Sequence, residues 1–353
     1  MSEIKLLHIA DLHFDRKISH LTPRKCQIRR SEILLSFSSI LTRFNDAEIV
    51  LISGDLFDGI CDESTINYFC NLLEKHNKKR FFLSCGNHDC LSSVTIDKLM
   101  EIKPDNLWIF GDSLECVEVD ELSLRVYGIS FSESGSYTSL IDGFCAEDDD
   151  YLNLMTLHAD VGGDSQYNPV SFSDIERSNL DYLALGHVHS FSGFQKRGKT
   201  CYAYPGVHEP AGFDETGHCG VIYGTVSKGD ISLEFFPTSK REYITLDIDV
   251  SDYLTNEDLV TGLLDSINTD NLYRINFVGT KNFNIRMDTY AELINCFYIE
   301  FNDNTKSNDS ILNYKNELSL RGKSAAHLLK SKDVCREDVF NMACDILTDI
   351  MCR

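Results

Sequence analysis

Two histidines separated by one residue follow an apolar, strand-like run in the segment DYLALGHVH, residues 181–189. The run 182–185 ends at Gly186, and His187 and His189 come next. In an extended chain, residues two apart point to the same side, so both imidazoles can reach one site. Gly186 suits a sharp turn, where a side chain would obstruct. The segment therefore predicts two histidine ligands just beyond a buried strand.

The same pattern, an apolar strand followed by ligand-type side chains, recurs upstream in KLLHIADLH, EIVLISGDLFD, RFFLSCGNHD and LNLMTLH. The polar residues at these strand ends are Asp11, His13, Asp55, Asn87, His88, Asp89 and His158. Carboxylate, amide and imidazole groups together suit a borderline divalent metal. A turn aspartate or a packed histidine would explain any one of them alone. However, five of the chain's 11 histidines stand at such strand ends, which favours one common site.

The elements between these motifs predict a parallel sheet. Strands are expected at 4–10, 48–53 and 80–85, with helices at 23–45 and 64–78. This βαβαβ alternation implies parallel strands, right-handed crossovers and helices on the faces of the sheet. Ligands collect outside the carboxyl ends of the strands in such sheets, which is where the motifs stand.

The later part of the chain predicts shorter strands and further units. Strands are expected at 115–119, 122–128, 152–157, 191–204 and 219–236, the first two forming a hairpin. We expect a catalytic domain over 1–240, a small α+β domain over 241–303 and a helical C-terminal segment over 304–353. Within that segment, residues 334–351 carry an apolar stripe at helical spacing.

The composition is that of an ordinary globular protein of 353 residues, with 42% hydrophobic and 25% charged residues. No run approaches the roughly 18 apolar residues of a membrane span. The N-terminus enters a strand at once and lacks the layout of a signal peptide, so a cytoplasmic location is expected. The 13 cysteines include no CxxC pair, which favours reduced cysteines over a disulfide framework or a cysteine metal site.

The net charge of 33 − 55 = −22 argues against a surface that coats DNA broadly, because counterion release needs clustered lysine and arginine. One stretch departs from this acidity, immediately after the first motif. Its basic residues are Arg16, Lys17, Arg24, Lys25, Arg29 and Arg30. They form either a solvated helix face or a phosphate track that leads into the site and binds DNA.

In order, the motifs read DLH, GDLFD, GNHD, LHAD and GHVH. This order resembles the metallophosphoesterase superfamily, which carries D-x-H, GD, GNH[DE], a lone H and GHxH. Within it, IADLHFD, the GDLFD form, YPG at 204–206 and GFDETGHCG at 212–220 resemble SbcD-type DNA repair nucleases. The resemblance implies an α/β calcineurin-like sandwich of mixed sheets flanked by helices, with a small α+β capping domain and a helical C-terminal tail.

The resemblance also implies roles for the residues. One divalent cation would be held by Asp11, His13 and His189, the other by Asn87, His158 and His187, with Asp55 bridging both. His88 would stabilise or protonate the leaving oxygen, and Asp89 would either orient His88 or cap a helix. Asp58, where some members carry histidine, is expected to be either a loop carboxylate or a group that supports the metal ligands without binding metal. Manganese is the metal expected, although the nitrogen and oxygen ligands also suit Fe²⁺ or Zn²⁺.

The function implied is a two-metal phosphodiesterase, most simply a DNA exonuclease or endonuclease that acts on DNA ends in repair, recombination or defence. The implied partners are DNA, an SMC-like ATPase of the SbcC type that docks on the helical segment, and a second copy of the chain. A small-molecule or cyclic-nucleotide phosphodiesterase and a non-catalytic scaffold remain alternatives. Protein phosphatases of the superfamily carry GDxVDRG where this chain has GDLFDGI, which disfavours that branch.

Overall fold

The computed structural model of the chain describes residues 3–163, 165–307, 317–330, 339–344 and 346. Its strands are β1 (Ile4–Ile9), β2 (Ile49–Ser53), β3 (Arg80–Ser84), β4 (Leu107–Ile109), β5 (Glu115–Val119), β6 (Leu124–Gly128), β7 (Leu152–His158), β8 (Asp160–Val161), β9 (Pro169–Val170), β10 (Tyr182–Gly186), β11 (Gln195–Arg197), β12 (Thr200–Ala203), β13 (Gly220–Ser227), β14 (Asp230–Pro237), β15 (Tyr243–Asp249), β16 (Leu272–Val278), β17 (Thr280–Lys281), β18 (Tyr298–Asp303) and β19 (Lys306–Ser307). Its helices are α1 (Pro23–Arg43), α2 (Glu63–Lys75), α3 (Val94–Ile102), α4 (Phe172–Arg177), α5 (Asn256–Leu264), α6 (Met287–Leu293) and α7 (Leu320–Leu328).

The first sheet is built from the N-terminal βα units. Its strand order is β14-β13-β1-β2-β3-β4. Strands β1 to β4 run parallel, with α1, α2 and α3 as the crossovers, while β13 and β14 add an antiparallel hairpin beside β1. The predicted βαβαβ unit is confirmed. It continues through α3 and β4, which are short and were not predicted.

The second sheet has the order β11-β12-β10-β7-β6-β5. Its four central strands, β12, β10, β7 and β6, run parallel, and each edge strand is antiparallel to its neighbour. The edge pair β5 and β6 is the predicted hairpin. The carboxyl ends of β7 and β10 therefore meet at one edge, as those of β1, β2 and β3 do in the first sheet.

The two sheets pack face to face around a buried core. Leu6 and Leu51 of the first sheet join Val126, Leu154 and Ala184 of the second in this layer, and all five are fully buried. Strands β2 and β10 are buried along their whole length, because helices and loops cover the outer faces as well. The architecture is the predicted α/β sandwich, with two mixed sheets flanked by helices.

A buried polar contact joins the sheets directly beneath the motif loops. The hydroxyl of Ser53 donates to the carbonyl of Ala184 at 3.0 Å and lies 3.1 Å from Nε2 of His8. A side chain at Gly186 would place its Cβ 1.7 Å from the carbonyl oxygen of Ser53. Glycine is therefore required at 186 by the close approach of the sheets, and the turn comes one residue later, at His187 (φ 111°).

A second compact unit begins at Ile244, after a first unit that ends at Tyr243. Its sheet has the order β15-β16-β18, with β16 and β18 parallel, and α5 and α6 contribute to the core. Val250, Ile275 and Phe277 are buried in this core. Strands β17 and β19 form a separate two-stranded parallel sheet.

The segment 304–353, predicted to be helical, is only partly so in the described residues, because it contains strand β19 (Lys306–Ser307) before helix α7. Residues 339–344 and 346 lie in helix, and Phe340 and Cys344 pack with Ala325 of α7. The remainder of the predicted helix at 334–351 lies outside the described residues. None of the helices in the described ranges is long and apolar enough to cross a membrane.

Candidate metal centre

The motif loops leave the strands in a strained backbone conformation. Asp11, His13, Asp55 and His187 have φ values of 51°, 43°, 49° and 111°, although none of them is glycine. Two loops run side by side, since the amide of Asp11 donates to the carbonyl of Gly54 at 3.1 Å and that of His13 to Asp55 at 2.9 Å. Such conformations cost about 1–3 kcal/mol each and cluster at functional sites. The surrounding fold holds these residues in positions that the isolated loops would not favour.

Asp11, His13 and His189 form the first group of donors, with one donor atom from each lying within 4.8 Å of the others. The Nε2 atoms of His13 and His189 are 3.1 Å apart. Nδ1 of His189 lies 2.7 Å from Oε1 of Glu215. Because an ionised carboxylate only accepts, that Nδ1 carries a proton, and Nε2 keeps its lone pair in the neutral ring. Two nitrogen atoms facing each other at this spacing suit two ligands of one cation.

Asp55 lies between this group and a second group of donors, which contains His158 and Asn87. Its Oδ2 is 3.7 Å from Nε2 of His13 and 3.5 Å from Nε2 of His158. Nδ1 of His158 donates to the carbonyl of Ser53 at 3.1 Å, so Nε2 is the free nitrogen, and it lies 3.0 Å from Oδ1 of Asn87. The carboxylate of Asp55 is thus placed to contact ligands of two cations.

His187 lies at the margin of the second group. The centre of its ring is 5.2 Å from that of His158 and 4.9 Å from that of Tyr167. Its backbone amide donates to both carboxylate oxygens of Asp11, at 3.0 and 3.1 Å. His187 therefore positions Asp11 through its backbone while its imidazole borders His158.

The charges of the site fit a divalent cation. Asp11 and Asp55 are 1% and 2% exposed. Burial raises the pKa of Asp11 to about 6. Burial also acts to raise the pKa of Asp55, but the nearby histidines outweigh it and the pKa falls. Asp11 and Asp55 are buried beside histidines whose Nε2 lone pairs point into the site, so a cation there would balance their charge. This set of nitrogen and oxygen donors suits Mn, Fe or Zn.

Asp58, and not Asp89, is the partner of His88. Nδ1 of His88 lies 2.9 Å from Oδ1 of Asp58, and Nδ1 of His13 lies 3.4 Å from the same oxygen. Contacts with the two histidines hold the pKa of Asp58 well below its usual range, and the Asp58 contact raises the pKa of His88. The His88 side chain is 47% exposed, so its remaining nitrogen is open to a substrate.

The prediction that Asp89 orients His88 or caps a helix is wrong. Asp89 is fully buried, and its oxygens accept from the amide of Gly86 at 2.7 Å and from the amides of residues 56–57 at 2.7 and 3.2 Å. Ser93 caps α3 instead. Burial, with the charge of Asp55 adding to it, raises the pKa of Asp89 to about 7. Asp89 therefore ties the loops after β2 and β3 together.

Sequence reasoning missed Glu215, which supports the first group. Glu215 is 4% exposed, contacts His189 and Arg16 through Oε1, and accepts from the amide of Ala211 through Oε2 at 2.6 Å. Burial alone would raise its pKa, but His189 and Arg16 lower it to about 2. The segment 212–220 was noted only for its resemblance to the nuclease family. No local pattern in it indicates that Glu215 contacts His189, 26 residues upstream.

The predicted DNA-binding track is wrong for Arg29. This side chain is fully buried, and its guanidinium contacts Glu32 at 2.7 Å and Glu209 at 3.0 Å. A buried, paired arginine is a structural element of the fold and is not available to phosphate. Arg16 is largely covered and bound to Glu215. The remaining members of the cluster are exposed or partly exposed: Lys17, Arg24, Lys25 and Arg30.

Two comparisons relate this chain to known proteins. The family model of the calcineurin-like phosphoesterases matches residues 4–191. A curated relative, the uncharacterized metallophosphoesterase YhaO of Bacillus subtilis (strain 168), is 26% identical over 259 residues, which cover 67% of this chain. The chain spans about 60% of the length of that relative. Because the family model covers more than half of the 353 residues and includes all five motifs, the chain belongs to the calcineurin-like phosphoesterase family.

Proposed function

We propose that this protein is a two-metal phosphodiesterase that cleaves DNA at its ends. The observation that carries the proposal is the position of Asp55 between two groups of donors, with the half-exposed His88 beside them. Two divalent cations, manganese being the first choice, would polarise the phosphate and activate the attacking water when bound there. The family match supports phosphoester hydrolysis, and the choice of DNA rests on the arguments below.

The side chains divide the work in this proposal. Asp11, His13 and His189 would hold one cation, Asn87, His158 and His187 would hold the other, and Asp55 lies where it would serve both. His88 donates a proton to the leaving oxygen, a step that such groups accelerate by about 10²–10⁴-fold. Asp58 accepts a hydrogen bond from the Nδ1–H of His88 and so directs the other ring nitrogen to the substrate.

Two features favour a nucleic acid over a small diester. Four basic residues near the start of α1 keep exposed surface close in sequence to the first motif, and phosphate contacts of this kind position a nucleic acid. The forms IADLHFD and GDLFD resemble SbcD-type nucleases. With a net charge of −22, contact with DNA is confined to such local basic areas or is shared with a partner.

The C-terminal helix supports a proposed partner, an SMC-like ATPase of the SbcC type. Val339, Met342 and Ile346 are 47%, 67% and 55% exposed, and their spacing places them on one face of a helix. Deleting 334–353 should leave the melting temperature of the first unit and diester cleavage unchanged, and should abolish co-purification with the ATPase. A large fall in melting temperature with loss of cleavage would assign this helix a structural role. A homodimer is the second assembly proposed.

The deciding experiment uses metal-depleted protein reloaded with Mn²⁺, Fe²⁺ or Zn²⁺. Each form is assayed on single-stranded DNA, double-stranded DNA and bis-p-nitrophenyl phosphate. Metal-dependent cleavage of DNA supports the proposal. Cleavage of the small diester alone would indicate a small-molecule or cyclic-nucleotide phosphodiesterase, and metal binding without any cleavage would indicate a scaffold.

A further inference from the structure

One tyrosine, Tyr167, borders the candidate metal centre, and a second, Tyr137, is joined to it through Gln166. The ring of Tyr167 packs against the imidazole of His187, with 4.9 Å between ring centres and 39° between ring planes. The hydroxyl of Tyr137 donates to Oε1 of Gln166 at 2.9 Å, and Nε2 of Gln166 donates to the hydroxyl of Tyr167 at 3.1 Å. We call Tyr137 and Tyr167 the aromatic shelf.

The loops that carry the shelf are fixed to each other. The amide of Ser136 donates to the carbonyl of Gln166 at 2.8 Å, and the amide of Asn168 donates back to Ser136 at 2.9 Å. These bonds align Tyr137 with Tyr167 across the two loops.

The loops are also fixed to the metal centre. Asn168 is fully buried in the left-handed region (φ 53°). Its side chain donates to the carbonyl of His158 at 3.0 Å and accepts from the amide of Leu140 at 2.8 Å. A candidate metal ligand and both shelf loops thus share one buried anchor.

The exposure of Tyr137 is unusual for a residue held in this way. Its side chain is 78% exposed, while its hydroxyl is already bonded to Gln166. The face of the ring, and not the polar end, is therefore what the shelf offers to a ligand. A tyrosine ring has few rotatable bonds, so it can bind a flat group with little further loss of conformational entropy.

We propose that the aromatic shelf is a base-stacking subsite, which binds the nucleobase next to the scissile phosphate. The inference rests on the proposed nuclease function and names the part of the substrate recognised beyond the phosphate. The base is the flat group that lies next to a phosphodiester in a nucleic acid. Every base has a π-face, so the shelf binds bases of any sequence, each stack adding affinity without base-specific hydrogen bonds.

The test compares a single-stranded oligonucleotide with the same strand built from abasic residues. Stacking of a base on an aromatic side chain contributes enough that its removal by alanine weakens binding about 5- to 150-fold. Tyr137→Ala should raise KM for the normal strand by such a factor and leave kcat within about twofold of wild type. KM for the abasic strand should be the same in Tyr137→Ala and wild type. In wild type, 2-aminopurine beside the cleavage site should lose fluorescence on binding, and in Tyr137→Ala it should not.

Two variants serve as controls. Tyr137→Phe keeps the ring and should behave like wild type. Trp108→Ala removes another exposed aromatic side chain, 45% accessible, which lines a separate cavity with Arg80 and Val117, and should change neither KM nor the fluorescence. Thermal melts verify that all variants are folded. Because Tyr137 is largely exposed, its replacement should not change the melting temperature.

Equal KM values for Tyr137→Ala and wild type on the normal strand would overturn the subsite and leave the nuclease proposal standing. So would an identical loss on normal and abasic strands, because the shelf would then act on the phosphate backbone. If wild type cleaved bis-p-nitrophenyl phosphate and neither strand, the nuclease function itself would fail, and the subsite with it.

Discussion

Replacement of Asp58 by alanine tests how His88 is controlled. Asp58 bonds to His88 at 2.9 Å, with 23% of its own side chain and 47% of that of His88 exposed. A hydrogen bond to a charged group contributes about 1.5–3 kcal/mol. Because both groups reach solvent, the lower end applies, and about 1.5 kcal/mol corresponds to about a 10-fold loss of rate. We therefore expect Asp58→Ala to slow DNA cleavage about 10-fold, and His88→Asn to slow it about 10²–10⁴-fold.

Two further measurements separate orientation of His88 from damage to the site. If Asp58 acts only through His88, the double variant should be no slower than His88→Asn alone, since coupled residues are not additive. Bis-p-nitrophenyl phosphate has a leaving group that departs without protonation, so both single variants should cleave it at close to the wild-type rate. Metal content must also be measured, because Asp58 lies 3.4 Å from Nδ1 of His13.

The control is Asp62→Ala, which removes an exposed carboxylate from the same loop. The side chain of Asp62 does not cap α2. It should match wild type on both substrates. Fully additive losses in the double variant would refute the reasoning, as would equal losses of Asp58→Ala on DNA and on the small diester.

Three other predictions address the metal site and the fold. Asp55→Asn should lose both cations and nearly all cleavage, while His187→Ala should weaken the binding of mainly one of the two cations. A full metal content of Asp55→Asn, measured by elemental analysis, would contradict the shared site. Glu215→Gln should weaken metal binding about 10- to 100-fold by calorimetry without substrate; unchanged affinity would make its contact with the metal-site histidine incidental. Glu32 is buried, but bonds from Arg241 and other basic groups lower its pKa from 4.5 to about 2. Its stabilising contribution should therefore be complete above pH 4.5 and be lost as the pH falls towards 2, so urea unfolding of Glu32→Gln should depend less on pH over that range.

The gathering of the candidate metal donors at one sheet edge was predictable from sequence because its signal is local. Strands of five to seven residues end within two residues of each motif, so the motif side chains gather at the strand ends. Parallel strands then bring their carboxyl ends to one edge whatever the exact packing. Five of the seven predicted ligands, Asp11, His13, Asp55, His158 and His189, belong to the described donor groups for the same reason.

Roles that depend on a distant partner were decided by tertiary structure. Asp58 and Asp89 flank different motifs and are equally acidic in sequence, yet one bonds to His88 and the other to buried amides 32 and 33 residues away. Nothing in either motif reveals which carboxylate the loop turns towards the imidazole, because the direction depends on how the loops after β2 and β3 pack together.

The same reason explains the misjudged basic cluster and the aromatic shelf. Arg29 reads as one basic residue among six, and only the return of the chain 180 residues later, with Glu209, makes it a buried ion pair. Tyr137 and Tyr167 fit no motif, and they are linked through Gln166 because two loops bridge at Ser136. The sequence by itself determined the donor chemistry and the sheet edge where it gathers, since both follow from short-range patterns. Which polar groups face the substrate was decided only by long-range packing, which pairs residues that are far apart in the chain.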